Sequence, residues 1–284
     1  MQPLPPYLRW RSAWSATSLA LGLSLGLGLP GCAGWPASSP PASSAPAVPA
    51  SVRQALAPSG SLRIAVYPGS PTSLVRGPGD EQRGLTVDVG RELARRLGVP
   101  AQIVIFARVP QIVDALKAGQ ADFTITNASP ARARDIDFTP TVVRLETGYL
   151  VPAGSRLGQL ADVDASGVRV GVSQGSTSQS VLTQQLTSAN VVAAPSVLAA
   201  AQMLREGQLD AFATNKGILF EMADGLPGSR VLAGRWGLEQ LAIGVPKGRE
   251  AGAEFLKAFV ADPATQQRVR EAAQRAGLRG LVTD

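Results

Sequence analysis

Two stretches of this chain repeat each other. "ALKAGQADFTITN" (115–127) and "MLREGQLDAFATN" (203–215) align without a gap. Leu116 matches Leu204, Gly119 matches Gly207, Gln120 matches Gln208, Asp122 matches Asp210, Thr126 matches Thr214 and Asn127 matches Asn215. Each copy reads as a helix end, a glycine stop and an apolar strand closing on Thr-Asn. A chain that carries this unit twice is expected to build two α/β lobes. In open α/β sheets ligands sit beyond the carboxyl ends of strands. The two Thr-Asn ends are therefore expected to face one cleft between the lobes.

The surrounding pattern supports that reading. "LRIAV" (62–66) is a short apolar run. Leu85, Val89, Leu93 and Leu97 recur every four residues and predict one helix face, stopped by Gly98 and Pro100. "QIVIF" (102–106) and "ADFTIT" (121–126) read as strands on either side of a helix at 110–119, which has proline at its start and glycine at its end. Near the end of the chain, Asp262, Pro263 and Gly277 mark the cap, first turn and stop of another helix. Alternating strands and helices imply βαβ units and a largely parallel sheet.

Composition excludes several kinds of chemistry. There is no histidine and one cysteine in 284 residues. Ser-His-Asp, Cys-His and zinc sites cannot be assembled from that inventory, so no metal and no cofactor is expected. The formal charge is +6, but its 27 Lys and Arg are scattered. Without basic blocks interleaved with aromatics, nucleic acid is not an expected partner.

The N-terminus reads as an export signal. Arg9 and Arg11 precede an uncharged, Leu- and Gly-rich stretch (12–31), and Cys32 follows it to complete "LPGC" (29–32). That tetrapeptide resembles a bacterial lipobox, which implies cleavage before Cys32 and lipidation of its sulfur. The alternative is an uncleaved signal anchor, since the run is just long enough to span a bilayer. Residues 32–58, rich in Ala, Pro and Ser, are expected to form a flexible tether.

From residue 61 onward the chain resembles the bacterial extracellular solute-binding proteins of family 3, the periplasmic receptors of polar amino-acid ABC importers. "GLTVDVG" (84–90), "ALKAGQAD" (115–122), "SPARARDIDFTPT" (129–141) and "GVSQGSTS" (171–178) carry the family's motifs in order. The resemblance implies the type II periplasmic-binding-protein fold, two Rossmann-like lobes joined by two crossover strands and closing on ligand by a hinge. It places lobe 1 at 59–147 plus 240–284 and lobe 2 at 148–239. The crossings are expected near 145–151 and 232–243.

The resemblance also implies site residues. Arg132 matches the family arginine that holds the ligand carboxylate, a bidentate task suited to guanidinium. Arg134 is expected to be solvated. Ser176 and Thr177, at a helix start, would help bind the same carboxylate. Asn127 and Ser129 precede Arg132 and are candidate contacts. Tyr67 ends the first strand and is expected to line the cleft, while Leu74 and Val109 stand where relatives carry aromatic clamps. Phe106 is expected in the core, and Trp236 either packs the hinge or lines the cleft.

Asn215 is the departure. Receptors of this family carry Asp there, pairing with the ligand ammonium; an amide brings no charge. Lys216 beside it is a further candidate for setting specificity and would repel a cation if it faces the cleft. Strand alternation points the two apart. Glu146 and Glu239 are candidates for the missing negative charge.

The expected function is a solute-binding lipoprotein of an ABC importer. It would be a periplasmic monomer, held to a membrane through Cys32, that binds a small carboxylate-bearing solute and serves an ABC permease. It is not expected to be an enzyme. Two alternatives stand beside it: a periplasmic cyclohexadienyl-dehydratase-like enzyme, with Glu146, Glu239 or Lys216 as the acid, and a sensor or structural lipoprotein with a degenerate cleft.

Overall fold

The computed structural model describes residues 48–282. The signal stretch, Cys32 and most of the tether lie outside the described residues.

Residues 50–56, assigned to the tether by composition, form the helix α1 (Ala50–Leu56). Val52 and Leu56 are one turn apart and both buried, so the segment has an apolar face that its Ala-rich neighbours hide in the sequence. That face meets the helix at 250–261, where Gly252 leaves room for Leu56.

The first lobe is assembled in chain order. Strand β1 (Leu62–Val66) leads to a small hairpin of β2 (Val75–Arg76) and β3 (Gln82–Arg83), then to α2 (Leu85–Leu97). Leu85, Val89, Leu93 and Leu97 are each at most 2% exposed, the face that the four-residue spacing predicts. Gly98 ends the helix in the left-handed region at φ 68°, where its N–H satisfies the carbonyls of Ala94 and Arg95. Strand β4 (Ala101–Ile105), α3 (Val109–Lys117), β5 (Thr124–Asn127) and the short α4 (Pro130–Ala133) follow.

The long β6 (Ile136–Val151) carries the chain out of this lobe. The second lobe then runs β7 (Arg169–Ser173), α5 (Thr177–Gln185), β8 (Asn190–Ala194), α6 (Val197–Arg205), β9 (Ala211–Asn215), α7 (Lys216–Asp224) and β10 (Arg230–Val231). Strand β11 (Gly237–Pro246) returns to the first lobe, which α8 (Glu250–Ala261) and α9 (Pro263–Arg275) complete. Asp262 caps α9 by accepting from the N–H groups of Ala264 and Thr265.

The strands order as β5-β11-β6-β9-β7-β8, with β10 beside β6, and β1-β4 as a separate parallel pair. A bridge from Ile64 to Phe123 links that pair to the approach of β5. Strands β6 and β11 run antiparallel to one another from Gly237↔Thr147 to Pro246↔Ile136. They are the two crossover strands: β5 pairs with β11 on one side, and β9 pairs with β6 on the other. The C-terminal tail lies along β6, with Glu146 N–H donating to Gly280 O at 2.9 Å and Val282 N–H to Arg144 O at 3.0 Å.

The repeated aspartates are structural. Asp122 accepts from the backbone N–H and the guanidinium of Arg63 on β1. Asp210 does the same for Arg169 on β7. The first copy adds Arg249, at 2.8 Å, and buries its carboxylate completely. Each lobe thus ties its first strand to its repeat with the same bidentate clamp.

Candidate functional site

The two Thr-Asn ends meet at one cavity. Thr126 and Asn127 reach it from β5, and Thr214 and Asn215 from β9. Tyr67, Arg132 and Glu239 complete its polar wall, and α3 and α5 begin at its rim with Arg108 and Thr177. Its enclosed space is about 50 Å³, set within a wider recess of about 590 Å³ that includes open solvent. The lobes touch on both sides of it. A methyl carbon placed on Gly175 would come within 2.5 Å of Pro110, and one on Gly69 within 3.2 Å of Val197. The described form is therefore closed over the cavity.

Arg132 is held by one nitrogen. Its Nη1 donates to Thr126 Oγ1 at 2.8 Å and to the Asn127 carbonyl at 3.2 Å. The Nε–Nη2 edge has no partner among the described residues. Burial pushes this guanidinium down from its ordinary value, while Glu239 and Tyr67 act against that shift. An anchored fork with an unmet edge suits a planar carboxylate.

Asn215 is nearly fully buried, and its amide is engaged at both ends. Its Oδ1 accepts from Ile218 N–H at 3.2 Å and so caps α7. Its Nδ2 donates to Glu239 Oε2 at 2.9 Å. Glu239 comes from β11, and burial pushes its carboxyl up, against the pull of Asn215 and Arg132. The negative group in this cavity thus stands on the crossover strand, and the amide at 215 orients it.

Other sequence candidates separate into those at the wall and those away from it. Ser176 and Thr177 line the cavity. Ser176 caps α5 by accepting from Gln179 N–H at 3.1 Å, and the Thr177 hydroxyl has no partner among the described residues. Asn127 Oδ1 accepts from Gln240 N–H at 3.0 Å, so both repeat asparagines grip β11. Tyr67 packs against apolar clusters of both lobes, and burial pushes its phenol up. Val109 lines the cavity, whereas Leu74 is core and Phe106 packs behind α3.

Ser129 is not part of the wall. It caps α4, accepting from Arg132 N–H at 3.4 Å, and so acts on the cavity through Arg132. Lys216 also lies outside. It is the first residue of α7, and its Nζ meets Glu146 Oε2 at 2.6 Å. Glu146 pairs with Arg235 as well, and Lys216 holds its carboxyl below the usual range. Trp236 donates Nε1–H to the Gly148 carbonyl at 2.9 Å and sits 6.2 Å from the Tyr149 ring, so it packs the crossover. Among the described residues, no group of three or more His, Cys, Asp or Glu could hold a metal ion.

The sequence pattern of the bacterial extracellular solute-binding proteins, family 3, matches residues 62–275. The chain belongs to this family. A curated relative is the ABC transporter glutamine-binding protein GlnH of Bacillus subtilis (strain 168), 25% identical over 185 residues. That alignment covers 63% of this chain and 66% of the relative, just under two thirds of its length. Among solved structures, an ancestral arginine-binding protein bound to glutamine superposes with TM-score 0.68 at 22% identity, over 75% of this chain and 96% of that one. The ancestral amino acid-binding protein AncCDT-1, a precursor of cyclohexadienyl dehydratase, gives 0.67 at 20%, over 77% and 96%. These superpositions identify the type II periplasmic-binding-protein fold.

Two features have weak sequence signals, one in the frame and one at the cavity. The Arg63 and Arg169 clamps were visible as the second residue of "LRIAV" and of "VRVGV". Arg108 carried no local signal, because a residue just before a helix can point anywhere.

Proposed function

We propose that this chain is the solute receptor of an ABC importer and binds a free amino acid in the cavity between its lobes. The observation that carries this is the pairing of two opposite charges on one wall. Arg132 offers an unmet guanidinium edge, and Glu239 offers a carboxylate oriented by Asn215. An α-carboxylate fits the first and an α-ammonium the second. Thr177 and the N-terminus of α5 add donors for the carboxylate. Closure of the lobes would bury the solute and form the surface that a permease reads.

The wider assignment follows the same reading. Lobe 1 comprises 59–147 plus 240–284, with α1 packed on it, and lobe 2 comprises 148–239. The chain acts as a monomer outside the cytoplasm, anchored by a lipid on Cys32. Among the described residues no helix is long and apolar enough to cross a membrane.

A dehydratase reading keeps one supporting observation. Glu239 is a carboxyl with a raised proton affinity inside the cavity, as a general acid would be. Glu146 and Lys216, the other candidates, neutralise each other away from it. Turnover of prephenate or arogenate would support that reading; binding without turnover supports the receptor.

Thermal unfolding with a panel of amino acids tests the proposal. A solute at 100 times its Kd adds about 2.7 kcal/mol, or a Tm rise on the order of 5–10 °C. Arg132→Ala should abolish that rise. A panel without any shift would refute the receptor reading and favour a degenerate cleft.

A further inference from the structure

The cavity carries more positive than negative charge. The titratable side chains on its wall are Arg108, Arg132, Glu239 and Tyr67, two guanidiniums against one carboxyl and one phenol, and burial raises that phenol. An amino-acid head group uses two of these, its carboxylate on Arg132 and its ammonium on Glu239. Arg108 is left over. Its backbone is extended, it precedes α3, and its side chain caps nothing in that helix. Among the described residues it has neither a hydrogen bond nor an ion pair. Its neighbour at the far end of α3 differs, since Lys117 is matched to Asp135 at 2.8 Å.

Closing the cleft removes water from whatever lines it. A guanidinium that loses water without gaining an anion is destabilised. The helix starts at α3, α5 and α7 add partial positive charge on the same walls. A neutral amino acid leaves Arg108 unmet, and a cationic one sets its own charge against Arg108.

Building on the amino-acid reading above, we propose that the solute is an acidic amino acid whose side-chain carboxylate is taken by Arg108. Arg108 is then the specificity-determining residue. The head group is recognised by Arg132 and Glu239 whichever amino acid enters, and Arg108 selects for a second negative charge.

The test uses near-isosteric pairs that differ in that charge. The full chain is titrated calorimetrically with L-glutamate, L-glutamine, L-aspartate and L-asparagine, alongside Arg108→Gln and Arg132→Gln. At least one acid should bind tighter than its amide by about tenfold or more, the effect of one hydrogen-bonded charge pair. Arg108→Gln should bring that ratio within about threefold, and Arg132→Gln should remove binding of all four. An amide binding as tightly as its acid, or a preference that survives Arg108→Gln, overturns the acidic assignment and leaves the amino-acid reading standing. The same holds if only other amino acids bind. If no amino acid binds at all, both readings fall.

Discussion

Asn215→Asp puts two carboxylates where the protein now has an amide and a carboxylate. The Asn215 Nδ2 lies 2.9 Å from Glu239 Oε2, so the variant faces oxygen with oxygen inside a closed cavity. The cap of α7 survives, because Asp accepts from Ile218 N–H as well as Asn does. The pair has two options. It can bear a repulsion of about 4 kcal/mol, the value for unit charges near 4 Å at an effective dielectric of 20. It can instead share one proton. Holding a proton on a group of ordinary pKa about 4.3 costs 1.36 kcal/mol per pH unit, or roughly 4 kcal/mol at pH 7.5 and about 1 kcal/mol at pH 5. Both routes give a loss of about 4 kcal/mol at pH 7.5, which lowers Tm on the order of 10 °C. The sign with pH follows from the proton count. Above pH 5 the folded variant binds a proton that the unfolded chain does not, so its stability falls as pH rises. Wild-type Glu239, already raised by burial, contributes a slope of the same sign, so the comparison is between the two proteins at each pH. Thermal unfolding of both at pH 5 and pH 7.5 is the assay. Equal stability at pH 7.5, or a loss that does not shrink at pH 5, would mean that the two carboxyls do not meet in the folded protein.

Three further perturbations test the frame around the site. Asp122→Asn leaves Arg63 and Arg249 without their buried partner and should cost about 3–5 kcal/mol, read as a lower Tm. In the wild type burial works to raise the Asp122 carboxyl, but Arg63 and Arg249 hold it low, so its contribution is full at neutral pH and disappears as pH falls through its folded value. Asp210→Asn, whose carboxylate is 37% exposed, should cost about 1 kcal/mol or less; equal losses would contradict the difference in burial. Gly175→Ala adds a methyl 2.5 Å from Pro110 at φ 71°, so it should weaken solute binding by about tenfold through impaired closure, measured by titration.

The sequence and the structure agree where the signal is local. The repeat, the four-residue spacing of Leu85 to Leu97 and the Asp262-Pro263 start each describe a segment that a few neighbours determine. Arg132 reaches the cavity wall because a short capped turn fixes it directly after β5. The pattern leaves the choice open where placement depends on distant partners. Glu239 faces the cavity because β11 is registered against β6, which no local pattern encodes. Strand alternation points Lys216 away from Asn215, and the ammonium does lie away from the cavity on Glu146, though the cause is that β9 ends at Asn215 and a helix starts at once. Composition places residues 50–56 in the tether, yet Val52 and Leu56 suffice to dock a helix on α8.

The central claim is that Arg132 and Glu239 hold the two ends of an amino-acid head group. Calorimetric titration with an L-amino acid that binds, and with its 2-oxo acid, tests both ends at once. The oxo acid should bind at least tenfold more weakly, since it leaves Glu239 unmet. Glu239→Gln, which can still accept from Asn215, should erase that preference, and Arg132→Gln should remove binding of both. An oxo acid that binds as tightly as the amino acid, or binding that survives Arg132→Gln, would contradict the account.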